Sequence, residues 1–444
     1  MNKLWGVLLL TILASCSTQQ HINKQVQQSV LNDATLANAH VGISLYDVSA
    51  HKYLYNYQGD KYFVPASNTK IASCYAALKY LGDSLDGIRY WENDTAIYLI
   101  PTGDPSLLHS DYKANPVITF LQKSTKPLYI GDNWKEDALG SGWSWDDYND
   151  YYMAERSPLP VYGNILRWIQ EKNDSAKTDN NEFDQSVSIY SLPEVNWKVR
   201  FNVDPSKNSF YVQRARAENI YEITEGTEKK KEQEVPFVTN GLQSALELLP
   251  DTIGKEIVLL PRLKNQNSEL RTIHSQPVDS LLKPMMHRSD NFFAEQVLLM
   301  VSEKKLGAFS NSRIADTLLK TDLKDLPQSP RWADGSGLSR FNLFTPQDFV
   351  TLLNKMQQEF GMQRLKTIFP TGGKGTLRNY FKQDSNYIYA KTGTLSGVMA
   401  LSGYLYTQKN KLLIFSVLVN NHQGSSVAIR RRVEAFLHAI RNRY

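Results

Sequence analysis

Pro65-Ala66-Ser67-Asn68-Thr69-Lys70 runs straight into a one-faced apolar stripe, Ile71, Cys74, Ala77, Leu78 and Leu81, that stops at Gly82. Apolar residues three and four apart predict a helix over Ser67–Leu81. Ser67 then sits in the first turn, where backbone N–H groups lack partners and the dipole is positive. Lys70 lies one turn on, on the same face and within reach of the serine oxygen. A serine hydroxyl is a poor nucleophile until a base takes its proton. Lysine serves as that base when its neutral form is populated, and burial or a second cation nearby drives it that way. The S-x-x-K pattern says little alone, since it recurs at Ser49/Lys52, Ser110/Lys113, Ser280/Lys283 and Ser302/Lys305. As an isolated pair, Ser67 and Lys70 read as a helix cap and a surface lysine.

The flanks read as mixed α and β structure. Val41–Tyr57 alternates apolar and polar residues around polar Asp47–His51, the pattern of an antiparallel hairpin. From 91 to 275 the texture changes to short strand-like runs (Thr95–Ile100, Val187–Tyr190, Ser209–Arg214, Ile257–Leu260), with solvated loops expected at Glu171–Asp184 and Thr224–Glu234. Ser280–Leu306 is helical in texture. Another helix is predicted at Thr345-Pro346-Gln347-Asp348, where Thr caps and Pro fits the first turn. Two long strands, Tyr387–Tyr406 and Lys411–Asn420, precede a last helix with Ile429, Val433, Phe436 and Ile440 on one side. Arg430-Arg431-Arg432 reads as that helix's wet face, with contact to an anionic membrane as the other reading.

Two further stretches complete a set. Ser289-Asp290-Asn291 offers a hydroxyl and an amide that can hydrogen-bond Lys70 and relay a proton; read singly, it is another helix cap. Lys391-Thr392-Gly393-Thr394 opens a strand, with a cation and two hydroxyls for a substrate carboxylate and a glycine that leaves room for a peptide along the edge. In the order S-x-x-K, S-D-N, K-T-G these stand on helix, loop and strand. Together they form the signature of active-site serine penicillin-binding proteins and class A β-lactamases.

The chain resembles the peptidase S13 family, the low-molecular-mass class C penicillin-binding proteins. The resemblance rests on Pro65–Lys70, Gly103-Asp104-Pro105-Ser106-Leu107, Gly142-Trp143-Ser144-Trp145-Asp146-Asp147, Ser289–Glu295, Asp334-Gly335-Ser336-Gly337-Leu338-Ser339-Arg340, Gly375-Thr376-Leu377 and Ala390–Leu395. It spans 41 to about 420. It implies the serine β-lactamase/DD-peptidase fold, of α/β (α+β) class: an antiparallel sheet flanked by helices, from 16–90 and 276–444, with a β-rich accessory insertion, 91–275. It implies hydrolysis of D-Ala-D-Ala bonds in peptidoglycan peptide stems, with no metal or cofactor and with β-lactams as inhibitors. Ser67 is the implied nucleophile, Lys70 its base, Ser289 the proton relay and Asn291 the group that positions Lys70. Lys391, Thr392, Gly393 and Thr394 hold substrate, and Asp147 binds the free amine of a diamino acid. Ser144 stands where the family often has Pro, and the insertion is somewhat short. The long gap between Lys70 and Ser289, and the missing Glu-x-x-Leu-Asn loop, argue against a class A β-lactamase. Carboxypeptidase and endopeptidase work stay equally open. A β-lactamase or esterase on the same fold, and a non-catalytic β-lactam-sensing or wall-binding lipoprotein, are the competing readings.

The N-terminus bears on location. A short positive start precedes apolar Leu4–Ala14, too short to span a bilayer, which ends Leu13-Ala14-Ser15-Cys16. That resembles a bacterial lipobox: 1–15 would be a signal peptide and Cys16 the lipidated first residue. The expectation is a periplasmic lipoprotein on an envelope membrane, inner or outer left open. With only Cys16 and Cys74 present, lipid on the first excludes an intramolecular disulfide. A net charge of +5 over 444 residues, with no basic stripe among the aromatics, argues against nucleic-acid binding.

Overall fold

The computed structural model describes residues 22–172, 187–202, 208–261, 263 and 269–444. The expected signal peptide, Cys16 and most of the Glu171–Asp184 loop lie outside them. Two compact units emerge. One takes Met1–Tyr80, Val278–Ala294 and Asn311–Tyr444, and the other takes Leu81–Pro277 and Glu295–Ser310.

The first unit is built on a five-stranded antiparallel sheet. Its strands are β1 (His40–Asp47), β2 (Lys52–Tyr57), β3 (Ile388–Leu395), β4 (Val398–Tyr406) and β5 (Leu412–Asn420), in the order β3-β4-β5-β1-β2. β4 and β5 are apolar almost throughout because both of their faces are covered. Met399, Leu401, Leu413, Phe415 and Val417 pack against Ile429, Val433, Phe436 and Ile440 of the last helix, each buried side chain contributing roughly 1.5–3 kcal/mol. The alternate residues meet the other layer, where Tyr404 donates its hydroxyl to the carbonyl of Leu353 at 2.8 Å. The helices of this unit are α1 (Lys70–Tyr80), α2 (Val278–His287), α3 (Asn291–Leu306), α4 (Asn311–Lys320), α5 (Pro346–Ile368) and α6 (Ser426–Arg443). All but the first turn of α3 belongs to the second unit. The α5 cap is reciprocal, as Thr345 and Asp348 exchange two backbone-to-side-chain hydrogen bonds.

Three expectations change. The long strand Tyr387–Tyr406 is a hairpin, turned at Ser396-Gly397, where Gly397 takes a φ of 72° that glycine adopts without steric cost. The helical stretch Ser280–Leu306 is two helices, broken where Ser289 takes a φ of 64°. The second half of the loop expected at Thr224–Glu234 is strand, Lys230–Pro236, paired with Ile165–Lys172, while residues 225–229 stay irregular as expected.

The second unit begins at Leu81 instead of residue 91. Its largest sheet runs Ile257–Leu260, Leu128–Gly131, Ile97–Ile100, Ser84–Glu92 and Arg271–Pro277 in that order. Two three-stranded sheets and the helices Pro116–Lys123 and Gln243–Ile253 complete it, over a core that includes Leu99, Ile130, Leu166, Val212 and Leu249. In Gly103–Leu107, Asp104 is fully buried; its carboxylate accepts the backbone N–H of Ser106 at 2.9 Å and the hydroxyl of Ser275. Burial raises its pKa against those bonds. Arg214 is 2% exposed and donates to the carbonyls of Pro236 (2.7 Å), Ala215 (2.8 Å) and Arg216 (2.9 Å), with Glu155 at 3.8 Å. Arg214→Ala strands those acceptors and the Glu155 charge in the interior. It is expected to cost about 3–5 kcal/mol, measured as a lower denaturation midpoint; an unchanged midpoint would contradict this role.

Candidate active site

Ser67 lies in a 3-10 turn, Ala66–Thr69, that precedes α1, and not in the first α-helical turn. Ala66 holds a φ of 48°, a strained conformation for a residue with a Cβ, which persists only when its surroundings enforce it. They do so from two sides. A Cβ on Gly337 would fall 1.9 Å from the carbonyl oxygen of Ala66, and one on Gly393 would fall 2.8 Å from that of Pro65 and 3.1 Å from the Ser67 nitrogen. Glycine at 393 is therefore what lets β3 lie against the Ser67 backbone. The Asn68 amide fastens the same turn to the sheet, donating to the Lys391 carbonyl at 2.8 Å and accepting from the Ser402 hydroxyl at 2.7 Å.

Lys70 is fully buried. Its Nζ donates to Ser67 Oγ at 3.1 Å, to Asn291 Oδ1 at 2.7 Å and to the Ser336 carbonyl at 2.7 Å. The Ser336 carbonyl is held by a loop wound on Asp334, whose carboxylate accepts from the N–H groups of Gly337 (2.8 Å) and Ser339 (2.6 Å) and from the Asn342 amide (2.7 Å). Ser289 stands in the break between α2 and α3, and Asp290 caps α3 by accepting the Phe293 N–H at 3.0 Å. That break sets Asn291 at the start of α3, facing Lys70.

Lys391 is also fully buried, and its Nζ donates to Ser289 Oγ at 2.8 Å and to its neighbour's carbonyl, Thr392 O, at 2.7 Å. Burial, then the charges of Lys70 and Arg430, hold its amine well below the usual lysine range. Where the sequence reading gave Lys391 to a substrate carboxylate, its amine is engaged by the Ser289 hydroxyl. Ser67, Ser289, Thr392 and Thr394 line one open cleft of about 590 Å³, together with His287 and Arg430. S-x-x-K, S-D-N and K-T-G thus converge from a turn, an inter-helix break and an edge strand. Asp147 belongs to the other unit, half-buried in the one-turn helix Trp145–Asn149. Cys74 is buried inside α1, where desolvation raises its thiol pKa and leaves it unreactive.

The sequence reading missed Ser336, His287 and Arg430. Glycines flanking Ser336 were a signal for Ser336; nothing local announced the other two. Arg430 was assigned to a wet face, yet it is 9% exposed and donates Nη2 to Thr394 Oγ1 at 2.7 Å. α6 lies against the sheet, and that packing turns Arg430 inward.

A serine–lysine pair under an antiparallel sheet, backed by a serine–asparagine break and an edge-strand lysine, defines a serine acyltransferase of the penicillin-binding type. The profile of the D-Ala-D-Ala carboxypeptidase 3 (S13) family matches residues 22–440, and the chain belongs to that family. It is 26% identical over 440 residues to a D-alanyl-D-alanine carboxypeptidase of Actinomadura sp. (strain R39), covering 89% of this chain and 80% of the relative. It is 24% identical to the D-alanyl-D-alanine carboxypeptidase DacB of Haemophilus influenzae, covering 99% of this chain and 96% of that one. The crystal structure of penicillin binding protein 4 (dacB) from Haemophilus influenzae shares the fold, with a TM-score of 0.72 at 20% identity over 94% of this chain and 98% of that chain.

His287 titrates abnormally. Burial, then the charges of Lys283 and Lys374, push it down to about 4 from 6.5. The unfolded chain takes up this proton as pH falls through 6.5 and the folded chain only near 4, so folding stability is lost across that window and is unaffected above it. His287→Gln is expected to shrink the drop in denaturation midpoint between neutral pH and about pH 4; an equal drop in both proteins would refute the assignment.

Proposed function

We propose that the chain is a serine D-Ala-D-Ala peptidase that works through an acyl-enzyme on Ser67. The carrying observation is the single buried amine of Lys70 shared by Ser67, Asn291 and the Ser336 carbonyl. In its neutral form Lys70 takes the Ser67 proton as Oγ bonds to the carbonyl carbon between two D-alanines. The backbone N–H groups of Ser67 and Thr394 receive the developing oxyanion. When the C–N bond breaks, Ser289 passes a proton to the departing amine and recovers one from the amine network that Lys391 and Lys70 form around it. Asn291 keeps Lys70 on station, while Thr392 and Thr394 offer hydroxyls to the carboxylate of the leaving residue. Water then attacks the ester and frees Ser67. Asp147 is assigned the free amine of a diamino acid in the stem. A β-lactam presents a strained carbonyl and a carboxylate in the same relation, and acylates Ser67.

Incubation with penicillin should add one penicilloyl mass to the wild type and none to Ser67→Ala, read by intact-protein mass spectrometry; equal labelling of the variant would remove Ser67 as nucleophile. Lys70→Ala should slow acylation on the order of 1,000-fold. Digestion of purified muropeptides distinguishes free D-alanine from cross-linked dimers falling to monomers, and so decides between carboxypeptidase and endopeptidase work. Neither product would overturn the reading.

Export and lipidation at Cys16, with the enzyme held at an envelope membrane in the periplasm, are proposed on the lipobox-like Leu13-Ala14-Ser15-Cys16. No helix among the described residues is long and apolar enough to cross a membrane. Labelled palmitate should enter the full-length protein and not Cys16→Ala; labelling of both would exclude that cysteine.

A further inference from the structure

The arginines of α6 differ in one respect. Arg431 pairs with Glu434 at 2.6 Å, Arg432 with Asp33 at 2.9 Å and Arg441 with Asp384 at 3.4 Å. Arg430 is nine-tenths buried and makes no ion pair with any described residue. Its Nη2 donates to Thr394 Oγ1 at 2.7 Å, its Cζ lies 5.1 Å from the ring centre of Tyr380, and its Nε is buried without an acceptor. A desolvated guanidinium without a counter-charge is costly to keep, and the cost is offset when an anion completes the pair. This one lines the cleft that holds Ser67, Thr392 and Thr394, and among the described residues no carboxylate lines it.

Resting on the peptidase reading above, we propose that Arg430 receives the α-carboxylate of the leaving residue and makes the enzyme selective for a free C-terminal acid there. The forked guanidinium suits a carboxylate better than a point charge does. Thr394 accepts from Arg430, which leaves the threonine's own hydroxyl proton to point at the same carboxylate. Lys391 then acts on Ser289, the group its amine already touches, and the two basic side chains divide the work: Arg430 holds the substrate's end and Lys391 serves the relay.

The test uses purified full-length protein and two N-acylated peptides, one ending in D-Ala-D-Ala as the free acid and one as the C-terminal amide. Wild type should cleave the acid much faster than the amide. Arg430→Gln should lose on the order of 100-fold in kcat/KM for the acid and change little for the amide, so the preference collapses, and Arg430→Lys should keep part of it. Equal acid and amide rates in wild type, or a variant that loses both substrates in proportion, would overturn the proposal. A folding defect lowers both rates together, so the ratio separates it from lost recognition, and the wild-type ratio needs no variant. If wild type releases nothing from the acid peptide, the peptidase reading itself fails and the Arg430 assignment falls with it.

Discussion

The catalytic unit turns on a lysine amine that has been taken out of water and placed against the nucleophile. Lys70 is fully buried, and a hydroxyl, a side-chain amide and a backbone carbonyl hold its Nζ from three separate segments. A second buried lysine, Lys391, is itself held well below the usual lysine range by burial and then by the charges of Lys70 and Arg430. A serine of ordinary reactivity needs a base within reach of its proton, and Lys70 Nζ stands 3.1 Å from Ser67 Oγ. Most of the surrounding architecture maintains that condition. The Asp334 loop fixes the Ser336 carbonyl, the break at Ser289 aims Asn291, and Gly337 and Gly393 let backbone close over the strained Ala66–Ser67 turn.

That arrangement has an electrostatic consequence. Arg430 is nine-tenths buried in the cleft beside Ser67, and among the described residues no carboxylate lines that cleft to face its guanidinium. An interior of this kind is expensive to fold and ready for an anion. A substrate with a carboxylate supplies what is missing and draws its scissile carbonyl toward the serine as it does so. Binding and chemistry are then coupled through charge, with no moving part required.

Much of the site was legible locally. Ser67-Asn68-Thr69-Lys70, Ser289-Asp290-Asn291 and Lys391-Thr392-Gly393-Thr394 each carry their chemistry in a few consecutive residues, and their order along the chain identified the fold. The hairpin β1–β2, the Thr345 cap and the apolar side of α6 were equally plain, because periodicity and capping depend on near neighbours. The misread elements were those that tertiary forces decided. Ser396-Gly397 turns a run of strand-forming residues back on itself, and Ser289 interrupts a helical run by taking a left-handed backbone conformation, with its hydroxyl held by Lys391.

The amino-acid order alone determined which side chains could do the chemistry and on what kind of element each would stand, since spacing along a helix or strand is a local property. Only the tertiary structure decided which charges face one another. Arg430 and Arg431 are adjacent in sequence and alike in composition, yet Arg431 pairs with Glu434 one turn along the same helix, while packing of α6 on the sheet sends Arg430, without an ion pair among the described residues, into the cleft. The Arg431 pair is written in nearby residues, but Arg430's neighbours, Thr394 and Tyr380, come from distant segments that no local pattern encodes.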